Sequence, residues 1–198
     1  STVIFDTAGR QWAWELIRRI GLEKSFFVPC HESAELAGAV SRACAQETGL
    51  PEGIPVAYGG GDTMVQAVGN GMLHPGTAIS NIGTASQLVT ISDSPVSDTE
   101  FRTNTFCHVD KKQWLLMGAN LSGGVSLKWL KNNILGMKNY DEMTDLAGQS
   151  APGSGGLFFL PYLSGERTPW NDPNARGVYF GLSLKHDRAD MIRAAMEG

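Results

Sequence analysis

Cysteine is scarce in this chain of 198 residues: only Cys30, Cys44 and Cys107 occur, an odd number at wide spacing. Such a set suits neither a disulfide framework nor a zinc site, and it sets the expectation of a reducing, cytoplasmic compartment. A strong charge imbalance is missing too. The 16 basic and 20 acidic residues leave a net charge of −4, and no Lys/Arg stripe alternates with aromatics. Nucleic acid is therefore excluded as a partner. Long apolar runs are lacking as well. The most apolar stretch, Gly156 to Leu163, contains Pro161 and is too short to cross a bilayer, so no membrane partner is expected. His74 and His186 have no companion at ligand spacing, which leaves no metal site to assign through histidine. There is no Gly-x4-Gly-Lys-Ser/Thr loop, and Gly69-Asn70-Gly71 lacks the third glycine of a dinucleotide fingerprint. Any enzyme of ATP here needs another way to hold phosphate.

What is present describes a folded protein, with 42% hydrophobic and 18% charged residues. Trp12, Leu16 and Ile20 fall on one face of a helix that Gly21 is placed to end. A second helix is expected over Arg42 to Thr48, closed by Gly49. Ile54 to Tyr58 reads as a short buried strand, and Thr63 to Val68 as a helix starting just after Asp62. Thr77 to Ile82 and Gln87 to Ile91 suggest a hairpin about Gly83-Thr84, and Thr105 to Val109 pairs with Gln113 to Met117 in another. Leu127, Leu130 and Ile134 place a helix over Val125 to Leu135. Asp141, Glu142 and Asp145 suit a solvated helix start. Leu157 to Leu160 and Val178 to Leu182 are further strands, separated by the polar loop Ser164 to Arg176. Alternation of strands and helices argues an α/β fold. The change from helix-rich to hairpin-rich character at Gly69 to Pro75 is the expected boundary between residues 1–73 and 74–198. Ser1 runs straight into strand-like Val3-Ile4-Phe5, and the far end closes inside a helical pattern, so a piece of a longer chain is expected.

Three sites carry candidate chemistry. Gly59-Gly60-Gly61-Asp62 ends a strand on residues that let backbone approach a ligand, and puts a carboxylate at the sheet edge where α/β proteins bind ligands. That carboxylate can take a proton from a hydroxyl nucleophile, or simply cap the following helix. Gly83-Thr84 at a hairpin tip can form an anion nest with a hydroxyl donor, or be an ordinary turn. Gly123-Gly124 before a helix can admit a nucleotide or permit close packing. Cys107-His108 and Cys30-His31 read as structural, because neighbours on a strand point to opposite faces. Glu166-Arg167 reads as an ion pair ordering its loop, with contact to a ligand as the alternative. Asn120-Leu121-Ser122 is a glycosylation sequon by chance.

In order along the chain, Val56-Ala57-Tyr58-Gly59-Gly60-Gly61-Asp62, Pro75 through Thr84, Thr105-Phe106-Cys107-His108 and Phe159 through Gly177 resemble the FGGY carbohydrate kinases, nearest to the branch that phosphorylates xylulose. The run Phe159 to Gly177 is the most specific of these. The resemblance implies a two-lobed, actin-like (ribonuclease H-like) ATPase fold, of which this chain holds the end of the first lobe and the start of the second. It implies ATP and Mg²⁺ as cofactors and a small-molecule sugar as substrate, with a homodimer left open. Carried over by position, Asp62 is the catalytic base, Asp62 and Thr63 touch the sugar, and Gly83 and Thr84 hold ATP phosphates. Gly124 and Lys128 fall where relatives contact nucleotide. Two departures stand out: Ala85-Ser86 where the family often has Ser-Gly, and Thr63 where Asn or Gln is common. D-xylulose is the expected acceptor. L-ribulose, L-fuculose, glycerol and a non-catalytic sugar-binding role are the alternatives, and the piece by itself is expected to be inactive.

Overall fold

The computed structural model describes residues 3–198. The strand expected from Val3 onward begins at Phe5, and Ser1 lies outside the described residues. Two compact units make up the chain. The first comprises residues up to Ile79 with Val89–Ser97 and Asn104–Met117; the second comprises Ser80–Leu88, Asp98–Thr103 and Gly118–Gly198.

In the first unit, β1 (Phe5–Asp6) pairs with β2 (Gln11–Trp12), and α1 (Trp14–Arg19) follows. This corrects the expected helix over 12–20. Trp12 sits opposite Phe5 in the hairpin with its ring edge-on to the Phe5 ring, so the helix starts two residues later. Its buried residue is then Ile17, while Leu16 and Ile20 face outward. β3 (Leu36–Ala39) was not anticipated; it pairs antiparallel with β4 (Pro55–Ala57) across a register shift. β4 is exposed along its length rather than buried; among the described residues its sheet has two strands. Between them α2 (Arg42–Thr48) ends at Gly49 in the left-handed conformation, φ 76°, as its sequence demands. α3 (Asp62–Gly69) turns Ala67 inward, onto a core of Met72, Val89, Ile91, Leu115 and Met117.

One four-stranded sheet has the order β5 (Ala78–Ile82), β6 (Ser86–Ser92), β8 (Trp114–Asn120), β7 (Asn104–Cys107). β7 and β8 form the expected antiparallel hairpin, with Cys107 opposite Trp114. In the second unit, α4 (Gly124–Trp129) runs on into a π-helical turn, Leu130–Leu135, that stops at Gly136 with φ 62°. α5 (Tyr140–Ala147) is capped by Asn139, with Asp141 and Glu142 in its first turn. β9 (Phe158–Leu160) pairs antiparallel with β10 (Val178–Phe180), and α6 (Arg188–Glu197) starts with a reciprocal capping box between Asp187 and Asp190. The core here is Leu130, Met143, Leu157, Phe159, Ile192 and their neighbours. Among the described residues no helix is long and apolar enough to cross a membrane.

Candidate functional site

In the first unit, the chain leaves β4 through Tyr58, whose amide donates to Glu35 O, and Gly59, whose amide donates to Ser33 O at 3.0 Å. Gly59 has φ +74°, a conformation that favours glycine, and a Cβ there would meet nothing within 4 Å. Gly61 is the residue that starts α3: its carbonyl accepts from the amides of Met64 and Val65, both at 3.0 Å. Asp62 is therefore the first helical residue rather than the cap. Its Oδ1 accepts from the Thr63 amide at 2.7 Å and, more weakly, from the Thr63 hydroxyl at 3.4 Å. Oδ2 accepts no hydrogen bond among the described residues, and the side chain is exposed. The arrangement is an anionic acceptor with one open oxygen, and Thr63 is tied to the other. Sequence reasoning missed the Tyr58 ring beside this turn, which stacks on His31 at 4.0 Å.

In the second unit, the turn Gly83–Ala85 joins β5 to β6. Gly83 donates its amide to Ala85 O at 2.9 Å. The residues after β8 grip the turn. Gly124 donates to Gly83 O at 2.8 Å, Gly123 to Thr84 O at 3.0 Å and Val125 to Thr84 O at 3.2 Å. A Cβ on Gly124 would lie 2.9 Å from Gly83 O, and one on Gly123 2.5 Å from Ser86 Oγ. Glycine is required at both places for room. The carbonyls of this turn are thus committed, while the amides of Thr84 and Ala85 and the Thr84 hydroxyl donate to no acceptor among the described residues. Free donors beside filled acceptors are the makings of an anion nest. Gly124 spends its amide on the turn itself. Lys128 is exposed in the last turn of α4 and makes no ion pair among the described residues.

Three side chains near this turn were not foreseen as contributors. Asn120, dismissed as part of a chance sequon, accepts the Ser86 amide on Oδ1 at 2.9 Å. Glu166 is 3% exposed and forms no ion pair with Arg167, which overturns the expected pairing. Its Oε1 instead accepts the amides of Leu121 at 3.0 Å and Arg167 at 2.6 Å. Thr168 accepts the Ala119 amide on Oγ1 and donates its own amide to Ala119 O, both at 3.0 Å. Nothing local in the sequence marks these residues, since their partners lie tens of positions away.

Back in the first unit, the Cys107-His108 pair is structural. Cys107 donates to Thr7 O, and burial pushes its thiol up. His108 is buried, with Nε2 donating to Met72 O and Nδ1 accepting the Asp110 amide. Arg10, at φ 52°, anchors the same region through Glu32 at 2.8 Å and the carbonyls of His108, Asp110 and Gln113. Among the described residues no three His, Cys, Asp or Glu side chains gather as a metal site.

Residues 1–69 match the N-terminal domain, and residues 78–198 the C-terminal domain, of the FGGY family of carbohydrate kinases. The chain is 34% identical over 197 residues to the xylulose kinase of Escherichia coli K12, and 32% identical over 209 residues to the gluconokinase of Bacillus subtilis 168. It superimposes with a TM-score of 0.89 on the crystal structure of a xyloylose kinase from Brucella ovis, at 35% identity. In each case all of this chain is covered, and it spans 40% of the relative's length.

Proposed function

The chain belongs to the FGGY family of carbohydrate kinases, and on that footing we propose that the whole protein transfers the γ-phosphate of ATP to a hydroxyl of D-xylulose. Residues 1–73 are the end of its first lobe and 74–198 the start of its second. The observation that carries this reading is the Gly83–Ala85 turn, where filled carbonyls stand beside free amides and a free hydroxyl at Thr84. Phosphoryl transfer asks little covalent chemistry of a protein; it asks for in-line placement, neutralised charge and an acceptor for the departing proton. Thr84 and Ala85 supply neutral donors for phosphate oxygens, with Gly83 shaping the turn. Gly124 keeps the turn in place, and Lys128 adds a cation for the nucleotide. Asp62 takes the proton of the attacking hydroxyl on its open Oδ2, while Thr63 holds Oδ1 and presents its own hydroxyl to the sugar.

ATP is a substrate here, and Mg²⁺ travels with it. A hydrated Mg²⁺ on nucleotide phosphates needs only one or two protein carboxylates. When bound, the ion draws charge from the phosphate oxygens. The cytoplasm is the compartment we expect for the whole protein. The 32% identity to a gluconokinase makes a sugar acid the competing acceptor.

The test is ATP-dependent phosphorylation by the whole protein across D-xylulose, gluconate, L-ribulose, L-fuculose and glycerol, alongside Asp62→Asn and Asp62→Ala. D-xylulose should be turned over best, and both substitutions should abolish most of the turnover. Substituted proteins that stay within a few-fold of the parent would remove Asp62 as the base. A parent inert toward every sugar would leave a binding protein on a kinase fold.

A further inference from the structure

We propose that Glu166 and Asn120 are positioning residues, which together fix the Gly83–Ala85 turn so that its free donors meet a phosphate without rearranging. The proposal rests on reading that turn as the phosphate loop. A carboxylate removed from water is costly unless hydrogen bonds replace its hydration. Glu166, at 3% exposure, has no cation beside it among the described residues, and two backbone amides stand in instead. One of those amides belongs to Leu121, and its location gives the bond its meaning. On one side of Leu121 is Asn120, whose Oδ1 holds the Ser86 amide at 2.9 Å. On the other side are Gly123 and Gly124, whose amides hold Thr84 O and Gly83 O. Both grips on the turn therefore issue from backbone that Glu166 immobilises. Thr168 doubles the tie through Ala119, the residue before Asn120.

Donors aimed in advance at developing charge contribute far more than donors that must swing into place. A displacement of about 1 Å by a residue remote from the chemistry costs on the order of 100-fold in rate. The polar loop that carries Glu166 thus serves the phosphate turn although it offers that turn no side chain directly. The relay runs from Glu166 to Leu121, from there to Asn120 and the two glycines, and so to the turn.

Two readouts separate this relay from the kinase reading. Amide hydrogen exchange in the whole protein follows Ser86, Gly123 and Gly124 without any substrate. Glu166→Ala should speed exchange at these amides by about tenfold or more, the loss of a buried acceptor. Glu166→Gln keeps a carbonyl oxygen for the Leu121 amide and should stay near the parent. Asn120→Ala should free Ser86 and Asn120→Asp should hold it, which keeps the test available if Glu166→Ala does not fold. In the whole protein, Glu166→Ala should raise KM for ATP and lower kcat roughly 100-fold with KM for sugar unchanged, and Glu166→Gln should recover it. Exchange that ignores both alanine substitutions overturns the relay, as do sugar and ATP constants that rise together. Altered exchange in a parent that phosphorylates no sugar supports the relay while sinking the kinase reading.

Discussion

Two glycine-bearing turns carry the candidate chemistry, and they use glycine for opposite reasons. Around Asp62 the space is open: a Cβ on Gly59 or Gly61 meets nothing within 4 Å, and Gly60 would make only ordinary contacts from 3.5 Å outward. Glycine there supplies backbone shape, shown by φ +74° at Gly59. Around Thr84 the backbone is crowded, and Gly123 and Gly124 are needed because a methyl group would strike Ser86 Oγ and Gly83 O. One turn exposes a carboxylate with an oxygen to spare. The other is clamped until only its donors remain. A base that must meet a moving proton tolerates the first arrangement, whereas a cradle for phosphate benefits from the second.

The largest effect that can break this contrast is chemical. Asp62→Asn in the whole protein should lower kcat by roughly 10²- to 10⁴-fold, the range of a lost general base, with its thermal unfolding unmoved. Next, Gly124→Ala should cost the 198-residue chain about 1–3 kcal/mol in denaturant unfolding, the cost of overpacking, since Gly83 O is backbone and cannot yield cheaply. Gly60→Ala in the open turn should stay within about 0.5 kcal/mol, and equal losses at both sites would erase the distinction. Helix starts offer a finer comparison. α3 begins on Gly61 with no side-chain cap, while α6 begins on the Asp187 capping box. Asp187→Ala should therefore cost about 1 kcal/mol, and Gly61→Ser should gain a few tenths.

The smallest effect is a pH slope in the second unit. Hydrogen bonds from the Arg102 guanidinium first, then from the amides of Glu100 and Arg102, hold the Asp98 carboxyl down to about 2. Its folded value lies below the unfolded one of about 3.9, so the stability it adds is complete above that pH and fades as pH falls toward 2. An acid titration followed by circular dichroism should lose that slope in Arg102→Ala.

Much of this was legible because it is local. Gly49 stopping α2, the hairpin about Gly83-Thr84 and the helix over Val125 to Leu135 each follow from spacing within a dozen residues, though the π-helical turn within the last does not. What the sequence concealed depends on distant partners. Trp12 looked helical by period but is claimed by Phe5 across a hairpin. Ile54 to Tyr58 looked buried by composition, yet its sheet has only two strands here. Glu166 looked like half of an ion pair with its neighbour, yet it accepts that neighbour's backbone amide and another 45 residues away. The candidate site divides the same way. Asp62 and Gly83-Thr84 were visible as punctuation between elements. The Asn120 and Glu166 supports appear only once the chain has brought residues 86, 120 and 166 together.

The clamp on the Gly83–Ala85 turn also bears on how such a turn can drift in evolution. Apart from the Asn120 side chain, it is built from main-chain N–H and C=O groups, of which proline alone lacks the N–H. Identity at positions 85 and 86 is therefore free to change without loss of shape. The demand for invariance is displaced to Gly123 and Gly124, some 40 residues downstream. Substitutions at positions 85 and 86 should leave the turn's shape intact, and those at the two glycines should not.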